Sequence, residues 1–281
     1  MRGARWLREL SLQAWISTPR RLARGEVHVI LARLPPFASN RGAPAILDRQ
    51  EQRRRRRLVF ARDRHRFAWS HALLRAVLAR YLGCSAAAVQ FAPRIAPQTR
   101  PSLLPGARLR LCFSLSHVGD LAAVAVARGA PLGVDVELPR NRLDPLAIAA
   151  AHFAPRETAL LRSLEPSKRI SAFLRLWTAK EAVLKALGTG LARPLSEVVV
   201  SLPVASSARR RLAISAEGLT LWSLPRAGGT LSTLAVATPR AGHPPRVWIG
   251  SCAAFSPRPV RAGSRCRRGS EMIPAVSCRR C

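Results

Sequence analysis

A chain of 281 residues, 48% of them apolar, can bury a real core as one large domain or two small ones. No run approaches the roughly 20 apolar residues that cross a bilayer, and the longest clean stretch, Leu121 to Ala127, is strand-sized, so a soluble protein without membrane contact is expected, and the cysteine usage makes a reducing cytoplasm the default. The formal charge of +32 invites a nucleic-acid partner, but the basic residues are spread along the whole length, and the run Arg53 to Arg57 has no interleaved aromatic on which a base would stack.

All but three basic residues, Lys168, Lys180 and Lys185, are Arg, a skew that reads as composition. The charge would still attract phosphate-bearing cofactors and acidic proteins. Cys84 and Cys112 lie in apolar contexts and read as small core residues. The other four cysteines fall near the C-terminus, where Cys278-x-x-Cys281 lacks the second close pair that zinc requires.

Residues 1–24 are Arg-rich with one acid, Glu9; they loosely resemble a transit peptide and read as an N-terminal extension. A strand follows at Val27 to Leu31 and stops at Pro35-Pro36. Residues 48–82 read as helix, capped by Asp48, with Phe67, Leu74, Leu78 and Leu82 on one face and Gly83 as the stop. A proline-rich connection leads to strands at 109–116, 121–127 and 132–137. The second half repeats this order, with helices at 156–164 and 168–187 and strands near 197–202, 211–215, 219–224 and 231–237.

A helix-then-meander unit used twice, with a weak echo of 116–126 in 224–236, points to an α+β fold. It would comprise two similar halves, 25–135 and 136–239, related by a pseudo-two-fold axis. Residues 240–281, rich in Pro, Arg, Gly, Ser and Cys without periodicity, read as a disordered C-terminal tail.

Three segments carry chemistry. In Gly133-Val134-Asp135-Val136-Glu137, strand alternation turns both valines inward and puts Asp135 and Glu137 on the opposite face, about 7 Å apart. Paired carboxylates suit Mg²⁺ bridged to phosphate, and they equally suit an edge strand with two solvated acids. In the helix around Trp177-Thr178-Ala179-Lys180-Glu181, Glu181 and Lys185 stand one turn apart, as an ordinary surface pair would. Yet two of the three lysines fall here, in a chain that otherwise writes Arg, and a site that holds a proton beside phosphate has reason to keep Lys. The third segment, Ser114-Leu115-Ser116-His117-Val118-Gly119, is a strand end whose hydroxyl, imidazole and amides can meet a phosphate. No Gly-x-Ser-x-Gly elbow, Walker A loop or Rossmann fingerprint occurs.

Together these segments resemble the 4′-phosphopantetheinyl transferase superfamily in its longer, Sfp-type form, over roughly residues 26–238. The resemblance implies Mg²⁺ held by Asp135, Glu137 and Glu181 and bridging to the coenzyme A pyrophosphate. Glu181 would take the proton of a carrier-protein serine and Lys185 would assist the leaving phosphate. Coenzyme A would meet Arg54, Arg100, Ser116, His117, Lys180 and Lys185, with His117 toward its 3′-phosphate. The implied partner is an apo acyl or peptidyl carrier protein of acidic character, the implied state a monomer. Two positions depart from the family pattern: Thr99 stands where Gly is usual and Ser114 where Asn is frequent. The rival readings are a basic nucleic-acid-binding protein, an Mg²⁺-dependent phosphodiesterase using the same acids, and a folded but inactive homologue.

Overall fold

The structure is a computed structural model that describes residues 7–11, 22–39, 45–93, 101–105, 110–139, 143–200, 211–213, 219–223, 231–237 and 246–252. Its strands are β1 (Leu7–Ser11), β2 (Glu26–Arg33), β3 (Leu111–Val118), β4 (Leu121–Arg128), β5 (Leu132–Glu137), β6 (Arg211–Ala213), β7 (Leu219–Ser223), β8 (Leu231–Ala237) and β9 (Arg246–Cys252). Its helices are α1 (Arg49–Arg56), α2 (Ala61–Leu82), α3 (Pro145–His152), α4 (Pro155–Ser163) and α5 (Pro166–Leu187). The fold is mixed α+β, and no helix among the described residues is long and apolar enough to cross a membrane.

Two sheets form, in the orders β1-β9-β2-β4-β3 and β5-β8-β7-β6. On the first packs α2, whose Trp69, Leu73, Leu74, Val77 and Leu78 share a core with Ile30, Val124 and Val126. On the second packs α5, through Phe173, Leu176, Val183 and Leu184 against Leu219 and Leu221. A third cluster joins the sheets, with Val29, Leu31, Ala123 and Ala125 meeting Leu132, Val134 and Val136. The edge strands β3 and β5 also meet, where the Val134 N–H donates to Ser114 Oγ at 3.1 Å.

Local chemistry explains the helix ends. Asp48 Oδ1 accepts from the Glu51 N–H at 2.8 Å while Glu51 Oε2 accepts from the Asp48 N–H at 3.0 Å, a reciprocal cap for α1. Helices α3, α4 and α5 each open on proline, whose missing N–H costs nothing there. Gly83 and Gly188 close α2 and α5 at φ +66° and +76°, a conformation that favours glycine.

The structure corrects several expectations. The single helix over 48–82 is two helices, and the Arg64 guanidinium holds the break by donating to the carbonyls of Leu58 and Val59 at 2.9 and 2.8 Å. No strand forms over the described part of 197–202: Leu195–Glu197 is a 3₁₀ turn and residues 198–200 join no sheet. That segment's backbone groups are taken by side chains instead, as the next section describes. Residues 246–252, placed in the disordered tail, form β9, parallel to both β1 and β2, with Val247 and Ile249 buried. The N-terminal extension contributes β1 and the buried Leu22. The boundary drawn between residues 135 and 136 falls inside β5, which pairs with β8. The rest of 240–281 and the echo at 224–230 lie outside the described residues.

Candidate functional site

Between α1, α2, β3 and α5 lies a cavity of about 320 Å³, within the range of small-ligand sites, with Arg54, Phe67, His71, His117 and Lys185 in its wall. Its position follows from one glycine. A Cβ on Gly133 would sit 1.9 Å from the Ala182 carbonyl oxygen and 2.8 Å from Lys185 Cβ, so only glycine lets β5 approach α5 this closely. That contact sets the β5 acids beside the last turns of α5.

There Asp135, 4% exposed, accepts on Oδ1 from Ser116 Oγ at 2.8 Å and from Lys185 Nζ at 2.6 Å. Lys185 Nζ also donates to the Val134 carbonyl at 3.2 Å. The second oxygen, Asp135 Oδ2, is buried with no hydrogen-bond partner among the described residues. Such an atom loses its full solvation unless a cation or donor meets it. One turn before Lys185, burial pushes the Glu181 carboxyl pKa above the usual value; the Asp135 charge adds to this and Lys185 opposes it. Among the described residues no group of three His, Cys, Asp or Glu is gathered tightly enough to hold a metal. Asp135 is engaged by Lys185, and Glu137 stands at the end of β5.

Opposite, His117 is exposed at the mouth of the cavity. Desolvation by the surrounding protein, then the charges of His71, Lys185 and Arg66, push its pKa down to about 4, with Asp63 opposing. Solvent reaching the ring screens part of this, but the direction is clear: His117 is neutral at pH 7.

The segment 131–232 matches the family model described as the 4′-phosphopantetheinyl transferase superfamily. The 4′-phosphopantetheinyl transferase HetI of Nostoc sp. is 34% identical over 205 residues, which cover 71% of this chain and 84% of that protein. The chain belongs to the 4′-phosphopantetheinyl transferase superfamily. A protein of Synechocystis sp. provisionally named a 4′-phosphopantetheinyl transferase is 35% identical over 158 residues, 56% of this chain and 63% of that one. The 4′-phosphopantetheinyl transferase AcpT of Salmonella typhimurium is 36% identical over 110 residues, 39% and 56%.

Within this transferase fold, Asp135, Glu181 and Lys185 come together, and Arg54 and His117 line the cavity. Ser116 is corrected: its side chain is turned to Asp135, away from the cavity wall, and its hydroxyl orients that carboxylate. Lys180 is corrected as well. It is fully buried on the far side of α5, its ammonium donating to the carbonyls of Leu195 (2.9 Å) and Val198, to Glu157 Oε2 at 2.6 Å, and lying over the Phe153 ring. Three protons with three acceptors leave nothing for a phosphate. Burial holds the Lys180 pKa below the usual lysine value, the bond and charge of Glu157 opposing. Glu157 Oε1 accepts from the Val200 N–H at 2.9 Å, so this pair takes up the backbone groups that a strand over 197–202 would have paired. Arg100 and Thr99 lie outside the described residues; the neighbouring Pro101 lines the cavity.

Sequence reasoning missed Glu51, His71 and Arg75. The Arg75 guanidinium is fully buried and donates to Glu51 Oε2 at 2.7 Å, to Asp48 Oδ2 at 2.6 Å and to the carbonyls of Ala86 and Val89. It thereby ties the cap of α1 to α2 and fixes the helix that carries Arg54. The signal was present: an Arg inside the apolar stripe of α2 needs acids, and Asp48 and Glu51 are among the few in this chain.

Proposed function

We infer that this chain transfers the 4′-phosphopantetheine moiety of coenzyme A to a serine hydroxyl of an apo carrier protein. The observation that carries the reading is the buried Oδ2 of Asp135, without a hydrogen-bond partner among the described residues, beside Glu181 and beside Lys185, which itself lines a cavity of small-ligand size together with Arg54, His71 and His117.

The chain's own residues supply most of the chemistry. Glu181, whose carboxyl holds a proton more readily than an exposed one, takes the proton of the carrier serine. The serine oxygen forms a bond to the phosphorus next to pantetheine, the bridging P–O bond of the pyrophosphate breaks, and 3′,5′-ADP leaves with the electron pair. Lys185, half-buried beside Asp135, places its ammonium where charge grows on the leaving phosphate. Of the three acids assigned to Mg²⁺, Asp135 and Glu181 lie together and would supply oxygen ligands that suit this ion, Oδ2 of Asp135 being the atom that lacks a hydrogen-bond partner among the described residues; Glu137, at the end of β5, is not gathered with them. When bound, Mg²⁺ neutralises pyrophosphate charge. Arg54, His117 and Arg100 would bind the rest of coenzyme A.

The pseudo-two-fold reading belongs to the same proposal. Two 22-residue helices, each ended by a left-handed glycine and each packed on its own sheet, support it. One chain then supplies both sides of the cleft, consistent with a cytoplasmic monomer, and a charge of +32 favours an acidic carrier.

The test is transfer itself: incubation with coenzyme A, Mg²⁺ and an apo carrier, read as the phosphopantetheine mass increment on the carrier. Glu181→Gln abolishes the increment if the base is correctly assigned. Hydrolysis of coenzyme A without transfer, or no dependence on Glu181, would overturn the reading.

A further inference from the structure

Helix α2 presents Phe67, His71 and Leu74, at i, i+4 and i+7, to the cavity. The His71 ring stacks on Phe67, with centroids 4.0 Å apart and planes 22° from parallel, and the Arg54 guanidinium lies 5.3 Å from the centre of the same ring. Behind His71, Nδ1 is 2.8 Å from Glu51 Oε1. Glu51 is itself clamped by Arg75 and by the Asp48 N–H, so it cannot swing away.

A buried carboxylate behind an imidazole fixes the orientation of the ring. Burial pushes the Glu51 pKa up, but the hydrogen bond and charge of His71, with Arg75 and the Asp48 backbone, outweigh it and hold the carboxyl below its usual value. The acids on this wall, Asp48 and Glu51, are both engaged by Arg75. The basic side chains in the cavity wall are Arg54, His71, His117 and Lys185.

We propose that His71 contacts the phosphomonoester of the coenzyme A nucleotide, with Glu51 and Arg75 as the positioning residues that aim it. This rests on the reading of the cavity as a coenzyme A site. Coenzyme A carries two kinds of phosphate. The pyrophosphate reacts and belongs beside Asp135, Glu181 and Lys185. The dianionic monoester is the phosphate left over, and it meets the other cationic wall.

The test compares binding of coenzyme A and of 3′-dephospho-coenzyme A by calorimetry, for wild type, His71→Gln, His71→Ala and Glu51→Gln, with the melting temperature of each recorded. His71→Gln keeps an amide that can bond Glu51, so folding is preserved. Both His71 variants weaken coenzyme A roughly ten- to hundredfold, as for one lost charge-assisted hydrogen bond, and leave the dephospho ligand within about twofold. Glu51→Gln lowers the same ratio by a smaller factor. Equal losses for both ligands, or no loss for either, overturn the assignment, and a Glu51→Gln protein with the wild-type ratio overturns the positioning role. A wild type that binds and transfers normally while His71→Gln matches it sinks this proposal alone. A wild type that binds no coenzyme A sinks the functional reading and this proposal together.

Discussion

Gly133 and Ala182 touch so closely that a single added methyl would overlap a backbone oxygen: the built Cβ lies 1.9 Å from the Ala182 carbonyl and 2.6 Å from the Ala186 nitrogen. Both partners are helix backbone and cannot rotate away. Gly133→Ala must therefore push β5 off α5 and separate Asp135 from Glu181 and Lys185. We expect a stability loss of about 1–3 kcal/mol and a turnover loss on the order of 10²-fold, the size of a misplacement near 1 Å. Chemical denaturation and transfer kinetics check both, and wild-type turnover in a folded Gly133→Ala protein would mean that this contact does not set the site.

Lys180 and Lys185 lie in one helix, yet they should respond in opposite ways. Lys180→Met leaves the Glu157 carboxylate buried without its cation and should cost about 3–5 kcal/mol of stability. Lys185→Met removes a half-exposed group beside Asp135, so its effect should fall on turnover more than on folding. Pairing Glu157→Gln with Lys180→Met should cost less than the sum of the two single changes, as coupled partners do. Purely additive losses would show that the pair is not one unit.

What the sequence disclosed and what it hid have separate physical causes. That Glu181 and Lys185 share a face was legible from the four-residue turn of a helix, a local rule; that Asp135 of a distant strand comes beside them followed only from the family resemblance. The caps at Asp48, Gly83 and Gly188 were legible from local rules as well. Lys180 was misread although its position told the truth: it falls on the stripe of Leu176, Val183 and Leu184, the buried face of α5. The strand expected over 197–202 failed because Lys180 and Glu157, distant in sequence, claim its backbone. β9 was hidden because its partners β1 and β2 lie at the other end of the chain, and no local pattern announces such pairing. The break between α1 and α2 depends on a side chain, Arg64, bonding two carbonyls that a continuous helix would have used itself.

The Glu51 carboxyl ties acid stability to the architecture of the site. Its folded pKa lies below the usual value, so its contribution is present above the unfolded carboxyl pKa and is lost as pH falls through the folded one. Wild type should therefore lose melting temperature as pH drops below about 4.5, the ordinary Glu value. Glu51→Gln should be destabilised at pH 7 by about 3–5 kcal/mol, because Arg75 stays buried with one acid fewer, and its melting temperature should fall less steeply in acid. Parallel acid profiles for the two proteins would remove Glu51 as the titrating group.

His117 gives the opposite sign, in binding rather than folding. In the free protein its pKa is near 4, so at pH 7 the ring is neutral. A bound phosphate dianion favours the imidazolium and raises that pKa, so binding draws in a proton. Affinity for coenzyme A should then rise as pH is lowered from 7 toward 5, before the acid loss at Glu51 begins, by up to about tenfold for each unit over which one proton is taken up. His117→Ala should bind more weakly at pH 5 and with a flatter profile. Calorimetry in two buffers of different ionisation enthalpy measures the proton directly, and uptake undiminished by His117→Ala would place the responding group elsewhere on the wall, at His71.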